Sequence, residues 1–451
     1  MKRSQSWKNL FDWETGFIRP KKNGGWDKPF DPREVNNNFT EGNAWQYTFF
    51  VPHDIPGMIQ AYGGNEEFEA KLDEMFNAES KTTGREQVDV TGLIGQYAHG
   101  NEPSHHMAYL YNYIGKPEKT NEKVNYILDN FYTNTPDGLI GNEDCGQMSA
   151  WYVLSSMGIY SVTPGQLGYS KTTPYFEKVK VNFENKEQLS ITKKGMNGYS
   201  KEVTAPTKIS DFEKIIQVPV IQAESKSFKD KLKIEIISQN PNDEIYYIFN
   251  SASPGKPAWM KYSGPIEISQ SEKISAYVKH NDENSTSVSA QFFKKPNNFA
   301  IDIKSEYHPQ YHAGGADALL DGINGNENWR KGEWQGYQGQ DFECVIDLKT
   351  AREISYLNSN YLQDTRAWIV MPTKVAYYIS EDNINFTNVG TVQNTIDPKE
   401  YETVIKSFEL KFKSQKVRYV KVIAENFGIL PEWHQGAGFD AYIFIDEITI
   451  K

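Results

Sequence analysis

Val124-Asn125-Tyr126-Ile127-Leu128-Asp129-Asn130-Phe131 places apolar residues at i, i+3, i+4 and i+7, whereas Lys178-Val179-Lys180-Val181-Asn182-Phe183 places them at every second position. The first spacing makes one buried stripe on a helix; the second makes one buried face on a strand. The change of period divides the chain. Before it, Phe68, Leu72, Met75 and Phe76 repeat the helical spacing, and Ser104 to Ile114 and Gly146 to Met157 also read as helices. Gly63-Gly64-Asn65, Gly115-Lys116-Pro117 and Thr135-Pro136-Asp137-Gly138 separate them as turns. Helices joined by such loops are expected to form antiparallel pairs. After it come Leu189 and Ile191, then Leu232-Ile234-Ile236, Ile245 to Phe249, Ile266-Ile268, Ile274-Ala276-Val278 and Val288-Ala290-Phe292. Short strands at that regular spacing predict a small β-sandwich. Lys294 to Asn298 reads as a linker. Val345 to Leu348, Ala376 to Ser380, Val417 to Val422 and Ile443 to Ile445 then predict a second sandwich or jelly roll.

The whole chain has 451 residues, with 59 Asp+Glu against 48 Lys+Arg and a net charge of −11. That balance argues against nucleic acid or anionic lipid as the main partner. Aromatic residues make up 14%, which belongs to a folded chain rather than a disordered one. No run of about 18 apolar residues is present, so no membrane-spanning segment is expected. Met1-Lys2-Arg3-Ser4-Gln5-Ser6-Trp7 has a charged start without an apolar stretch behind it, so no signal peptide is read. Cys145 and Cys344 are too far apart in organisation for a disulfide framework or zinc spacing, and both read as buried small hydrophobes.

Three loops of the helical part gather polar residues: Thr40 to Tyr47, His99 to His106 and Gly141 to Tyr152. Each precedes a helical run, so a rigid scaffold can aim it. Carboxylates from separate loops facing one pocket are the arrangement glycoside hydrolysis needs. The plainer reading is that Glu102 serves a helix start and Asp144 caps the helix after it. Adjacent His105 and His106 point about 100° apart on a helix and rarely share an ion.

Asn9-Leu10-Phe11-Asp12, Thr15-Gly16-Phe17-Ile18-Arg19-Pro20, Glu41-Gly42-Asn43-Ala44-Trp45-Gln46-Tyr47, His99-Gly100-Asn101-Glu102-Pro103-Ser104-His105-His106 and Gly141-Asn142-Glu143-Asp144-Cys145-Gly146-Gln147 resemble glycoside hydrolase family 92, the calcium-dependent exo-acting α-mannosidases. The likeness runs over roughly residues 4 to 176. It implies an (α/α)6 toroid, inverting hydrolysis and terminal α-mannose of mannose-containing glycans as substrate. By motif position it implies Glu41 as general acid, Asp144 as general base, Trp45 against the substrate, and Asn101 and Glu102 in the calcium site. Some members carry Asp where Asn142 stands, which concentrates the base role on Asp144. Calcium favours oxygen ligands such as an Asn amide and a Glu carboxylate. The chain starts well inside the family's catalytic domain, so it is expected to be a C-terminal piece carrying a partial toroid. The full-length protein is expected to be extracellular, periplasmic or on the cell surface.

The β segments carry resemblances of their own. Tyr262-Ser263-Gly264-Pro265-Ile266 with Lys273 to Val278 resembles the immunoglobulin-like domain appended to chitobiases and β-hexosaminidases. Ala318-Leu319-Leu320-Asp321-Gly322, Trp329, Phe342 to Leu348, Val417 to Val422 and Phe444 to Ile448 resemble the factor V/VIII type C, or discoidin, fold shared with carbohydrate-binding modules. The latter likeness implies a structural calcium, for which Asp321 and Glu447 are the candidates. Sugar binding needs an aromatic face and polar neighbours; Trp433 and His434 offer both, with Trp334, Tyr337, Arg366 and Trp368 in other loops. The expected organisation is thus a multidomain α plus β chain: residues 1–215 the partial toroid, 216–295 the immunoglobulin-like sandwich and 297–451 the discoidin-like sandwich. A non-catalytic carbohydrate-binding protein is the rival reading.

Overall fold

The computed structural model describes residues 2–22, 24–165, 168–186, 188–193, 195–197, 216–250 and 258–451. The stretch from 198 to 215, assigned above to the first segment, lies outside the described residues.

Five α-helices are found among the described residues, all before residue 157. Helix α1, Ala44–Phe49, starts on a reciprocal cap: the Asn43 side chain accepts from the Trp45 amide at 3.0 Å, and the Gln46 side chain accepts from the Asn43 amide at 2.9 Å. Helix α2, Ile55–Ala61, starts on Asp54, whose carboxylate accepts from the Gly57 amide at 3.2 Å. Helix α3, Asn65–Asn77, buries Phe68, Leu72, Met75 and Phe76, the stripe its spacing predicts. Helix α4, Pro117–Asn130, buries Val124, Ile127 and Leu128 and opens on Pro117, which lacks the amide hydrogen that position would leave unpaired. Helix α5 is Gln147–Ser156. The expected helix over 104–114 is instead a 3₁₀ turn, Glu102–Ser104, followed by a 3₁₀ helix, Met107–Ile114, with all eight side chains of the latter buried. These elements share one core around Trp151, Tyr109, Met58 and Phe49.

Downstream the strands fall where period two places them. Val220–Ala223, Leu232–Ile237 and Ile266–Ile268 form one sheet. Ser227–Phe228, Val288–Lys294, Glu272–His280, Glu244–Phe249 and Met260–Lys261 form the main path of another. Ile234 and Ile236 from the first pack with Ile274 and Phe292 from the second, so the two sheets enclose one core. The last segment is organised by two long antiparallel strands, Phe342–Gln363 and Val404–Ala424. Their register shifts between Asp347 and Arg352 and again between Ile354 and Tyr356, so each strand bends and serves two halves of a seven-stranded sheet. Tyr337, Phe342, Ile346, Leu357, Tyr361, Val420 and Ile443 fill the interior.

Cys344 is buried there as expected, and burial pushes its thiol up. Cys145 is exposed, contrary to the expectation, because it sits on the outer turn ahead of α5 rather than on the helix's inner face. Trp334 and Tyr337, placed in loops by the sequence, are core residues at 1% and 0% exposure.

The segments touch. The Gln5 side chain accepts from the Val218 amide at 2.7 Å, Gln239 donates to the Gly57 carbonyl at 3.3 Å, and Lys226 pairs with Glu333 at 3.5 Å.

Candidate active site

The loop bearing Glu41 is held at both ends. The Tyr47 hydroxyl, one turn into α1, bonds the Thr40 amide at 2.9 Å and the Thr40 carbonyl at 3.0 Å. The Asn101 side-chain amide donates to the Glu41 carbonyl at 2.9 Å. Glu41 itself has φ of 53°, a left-handed backbone that costs a non-glycine residue free energy, and its side chain is exposed.

Asp144 is presented in a similar way. Asp144, Cys145 and Gly146 have φ of 46°, 57° and 88°, three left-handed residues in succession ahead of α5. The start of that helix is served by Glu143, whose carboxylate accepts from the Ser149 amide at 3.1 Å and the Ser149 hydroxyl at 2.9 Å. The capping role that the plainer reading gave Asp144 therefore belongs to its neighbour, and Asp144 faces solvent.

Glu102 meets both loops. Burial first, then the Asp144 carboxyl beside it and the Glu41 charge, hold its carboxyl above the usual carboxylate range. Its Oε1 is buried without a hydrogen-bond partner, and Asn101 beside it is buried. Oxygen donors with an orphaned carboxylate oxygen among them fit a hard cation such as calcium. Among the described residues no group of three or more His, Cys, Asp and Glu side chains stands at metal-ligating spacing. His105 and His106 share nothing: Nε2 of His105 donates to the His99 carbonyl at 2.9 Å, and Nε2 of His106 to the Phe49 carbonyl at 2.8 Å.

Trp45 departs from the expectation of a substrate contact. It is 3% exposed, its ring meets Phe17 edge-on at 4.6 Å, and the Lys71 ammonium lies 4.7 Å from it. It follows Glu41 closely in sequence, but α1 turns its indole into the core while the loop turns Glu41 outward. In the last segment His434 is likewise committed. It is 4% exposed, Nε2 donates to the Thr365 carbonyl at 2.6 Å, and Nδ1 accepts from the Gly436 amide at 2.9 Å. Both ring nitrogens hold loops together, so neither is left for a sugar hydroxyl. Trp433 is partly exposed with the Lys399 ammonium 5.3 Å from its ring. Away from it, Tyr311, Trp329, Trp368 and Tyr442 with Arg366 and Thr403 line a cavity of about 670 Å³, an aromatic and polar pairing that isolated sequence positions do not reveal.

The structure brings Asp321 and Glu447 together and adds Asp446, which the sequence reading passed over. They are 3%, 6% and 2% exposed. Asp321 accepts from the Ile323 amide at 2.8 Å, Glu447 from the Gly322 amide at 3.2 Å, and Asp446 from the Gly325 amide. Burial pushes Asp321 up to about 6; burial first, and the neighbouring carboxylates after it, push Asp446 to about 7 and Glu447 to about 9. Oδ1 of Asp446 is buried without a partner, but the three carboxylates do not stand at metal-ligating spacing. Alternation along a strand puts neighbours 446 and 447, in the middle of Tyr442–Ile450, on opposite faces; both are nevertheless buried, and both accept from amides of the 321–325 loop.

A helical segment presenting acids from three loops, joined to two β segments of which the last carries an aromatic pocket, defines a modular protein with the make-up of a carbohydrate-active enzyme. Comparison with known families is more specific. The model described as glycosyl hydrolase family 92 catalytic domain matches residues 1–228, just over half of the chain. The chain belongs to glycosyl hydrolase family 92. Residues 301–443 match the F5/8 type C domain, and residues 234–293 match the region described as Fn3 associated. An "uncharacterized secreted glycosidase" of Arthroderma benhamiae is 29% identical over 241 residues, which is 45% of this chain and 29% of that protein. A family GH92 alpha-mannosidase from Bacteroides thetaiotaomicron is 41% identical, covering 43% of this chain and 25% of its own, with a TM-score of 0.38. A family GH92 inverting mannosidase from the same organism is 33% identical, covering 49% of this chain and 29% of its own, with a TM-score of 0.37. The chain thus spans less than a third of the length of each of these relatives. Among the described residues no helix is long and apolar enough to cross a membrane.

Proposed function

We propose that this chain carries the acid, base and metal loops of an inverting, calcium-dependent exo-α-mannosidase that removes terminal α-mannose from glycans outside the cytoplasm. The observation that carries the reading is the meeting of three loops far apart in sequence: Asn101 bonded to the Glu41 carbonyl, and Glu102 raised by the neighbouring Asp144 and Glu41 carboxyls. Glu41, exposed on a braced loop, is the acid that protonates the leaving oxygen. Asp144, freed from helix capping by Glu143, is the base that takes a proton from water on the opposite face of the sugar. Asn101 and Glu102 would hold calcium, which when bound supplies fixed positive charge for the sugar hydroxyls. The discoidin-like segment holds the glycan through aromatic faces, with Asp321 and Glu447 as the candidate ligands of a structural calcium.

The test is the anomer first released from an α-mannoside, followed by proton NMR. An inverting route yields β-mannose first. Initial accumulation of α-mannose overturns the assignment of Asp144 as a base acting on water.

A further inference from the structure

Where the three segments meet, a cavity of about 430 Å³ opens between the hairpin strands Lys21–Lys22 and Gly25–Trp26, Lys226 and the 310–334 loops. That size suits a small ligand. In a chain of net charge −11, four cations line it: Lys21, Lys226, Arg330 and Lys331. Lys226 is paired with Glu333. Among the described residues, Lys21, Arg330 and Lys331 have no carboxylate partner within ion-pair distance; the Lys21 ammonium lies 4.1 Å from the Trp26 ring and the Arg330 guanidinium 4.1 Å from the Trp329 ring. Lys21 is half-buried, and burial holds its ammonium below the usual lysine range. Arg330 and Lys331 are exposed, so like-charge repulsion at the rim rather than desolvation is what an anion would offset there, while the half-buried Lys21 also gains from a counter-charge. The other acid on the wall, Asp321, already accepts from the Ile323 amide. Tyr311 and Trp329, with ring centroids 5.8 Å apart and planes at 82°, add aromatic surface of the kind a sugar ring covers.

The cavity is held in shape by the hairpin's approach. A Cβ on Gly24 would lie 2.8 Å from the Lys226 amide nitrogen, so the glycine lets the hairpin seat against the middle segment.

We propose that this junction binds an acidic sugar, its ring against Tyr311 and its phosphate or carboxylate held by Lys21, Arg330 and Lys331. The site is separate from the hydrolytic loops and does not depend on their reading. The test is calorimetric titration of the full chain with mannose 6-phosphate, glucuronic acid and mannose. One or both acidic sugars should bind, the stronger one telling phosphate from carboxylate, and rising salt should weaken binding. Mannose should bind at least about tenfold more weakly, as should the acidic sugar to Lys21→Gln or Arg330→Gln, since a charge-assisted bond is lost. Lys331→Gln, at an exposed position, gives a second variant that leaves the fold intact. Equal affinity for mannose and its acidic counterparts, no binding of any of the three, or undiminished binding by all three variants overturns the proposal.

Discussion

The side-chain amide of Asn101 donates to the backbone carbonyl of Glu41 at 2.9 Å, bridging two loops that sequence separates by 60 positions. This contact holds a left-handed residue, Glu41, in the conformation that turns its carboxyl outward. Asn101→Ala removes the brace as well as an oxygen donor. Its expected effect is a fall in kcat of about 100-fold, the size that follows from a displacement of roughly 1 Å in a reacting group. Circular dichroism should stay unchanged. A variant with full turnover would show that Asn101 is neither brace nor ligand.

Glu41→Gln retains shape but cannot donate a proton. Activity on unactivated mannosides should drop by about 10²–10⁴-fold, with a smaller loss on aryl mannosides whose leaving groups need less help. Equal losses on both substrate types would argue against an acid role.

Removing calcium should act in two places. Chelation should abolish turnover, and it should lower the melting temperature of the last segment, because Asp321, Asp446 and Glu447 lie buried together. Added calcium should restore both. Glu447→Gln, which neutralises one of the three, should weaken the response of the melting temperature to calcium. An identical response in the variant would separate Glu447 from any cation site.

His106 makes the helical segment sensitive to acid. Burial lowers its pKa from 6.5 to about 4 in the folded chain. Above 6.5 both folded and unfolded chains hold the ring neutral, and its contribution to stability is full. Between 6.5 and about 4 the unfolded chain binds a proton that the folded one excludes, so stability falls as pH falls. At about 1.4 kcal/mol per unit of separation, the loss across this window is on the order of 3 kcal/mol. His106→Gln keeps an N–H for the Phe49 carbonyl and should melt with a shallower decline between about pH 7 and about pH 4.5. A decline as steep as that of the unaltered protein would place the acid sensitivity elsewhere.

Gly25→Ala should loosen the junction of the first and middle segments. A Cβ there would stand 2.1 Å from the Glu224 carbonyl oxygen, closer than atoms can approach, and the neighbour is backbone that cannot swing aside. The expected cost is about 1–3 kcal/mol, read as a lower melting temperature with faster tryptic cleavage near Lys226. Unaltered melting and cleavage would mean that the hairpin does not dock in solution.

By itself the sequence determined where helices give way to strands. A stripe such as Phe68-Leu72-Met75-Phe76 or an alternation such as Leu232-Ile234-Ile236 reports a local periodicity, and local periodicity decides which face an element can bury. It also located the acids: Glu41, Glu102 and Asp144 stand in loops bounded by glycine and proline, where the chain must turn. What it left open is every property that depends on a second piece of chain. Trp45 and Glu41 are neighbours in sequence, yet α1 sends one into the core and the other to solvent. In sequence His434 reads as a sugar contact, but the Thr365 carbonyl and the Gly436 amide occupy both its nitrogens. Asp446 joined Asp321 and Glu447 only because the 321–325 loop packs its amides against the middle of the strand Tyr442–Ile450. The capping of α5 by Glu143 instead of Asp144 was decided by the left-handed turn between them and the helix. Burial, hydrogen-bond commitment and the pairing of distant loops are sums over contacts among residues far apart in the chain, so they come into being only with the tertiary structure.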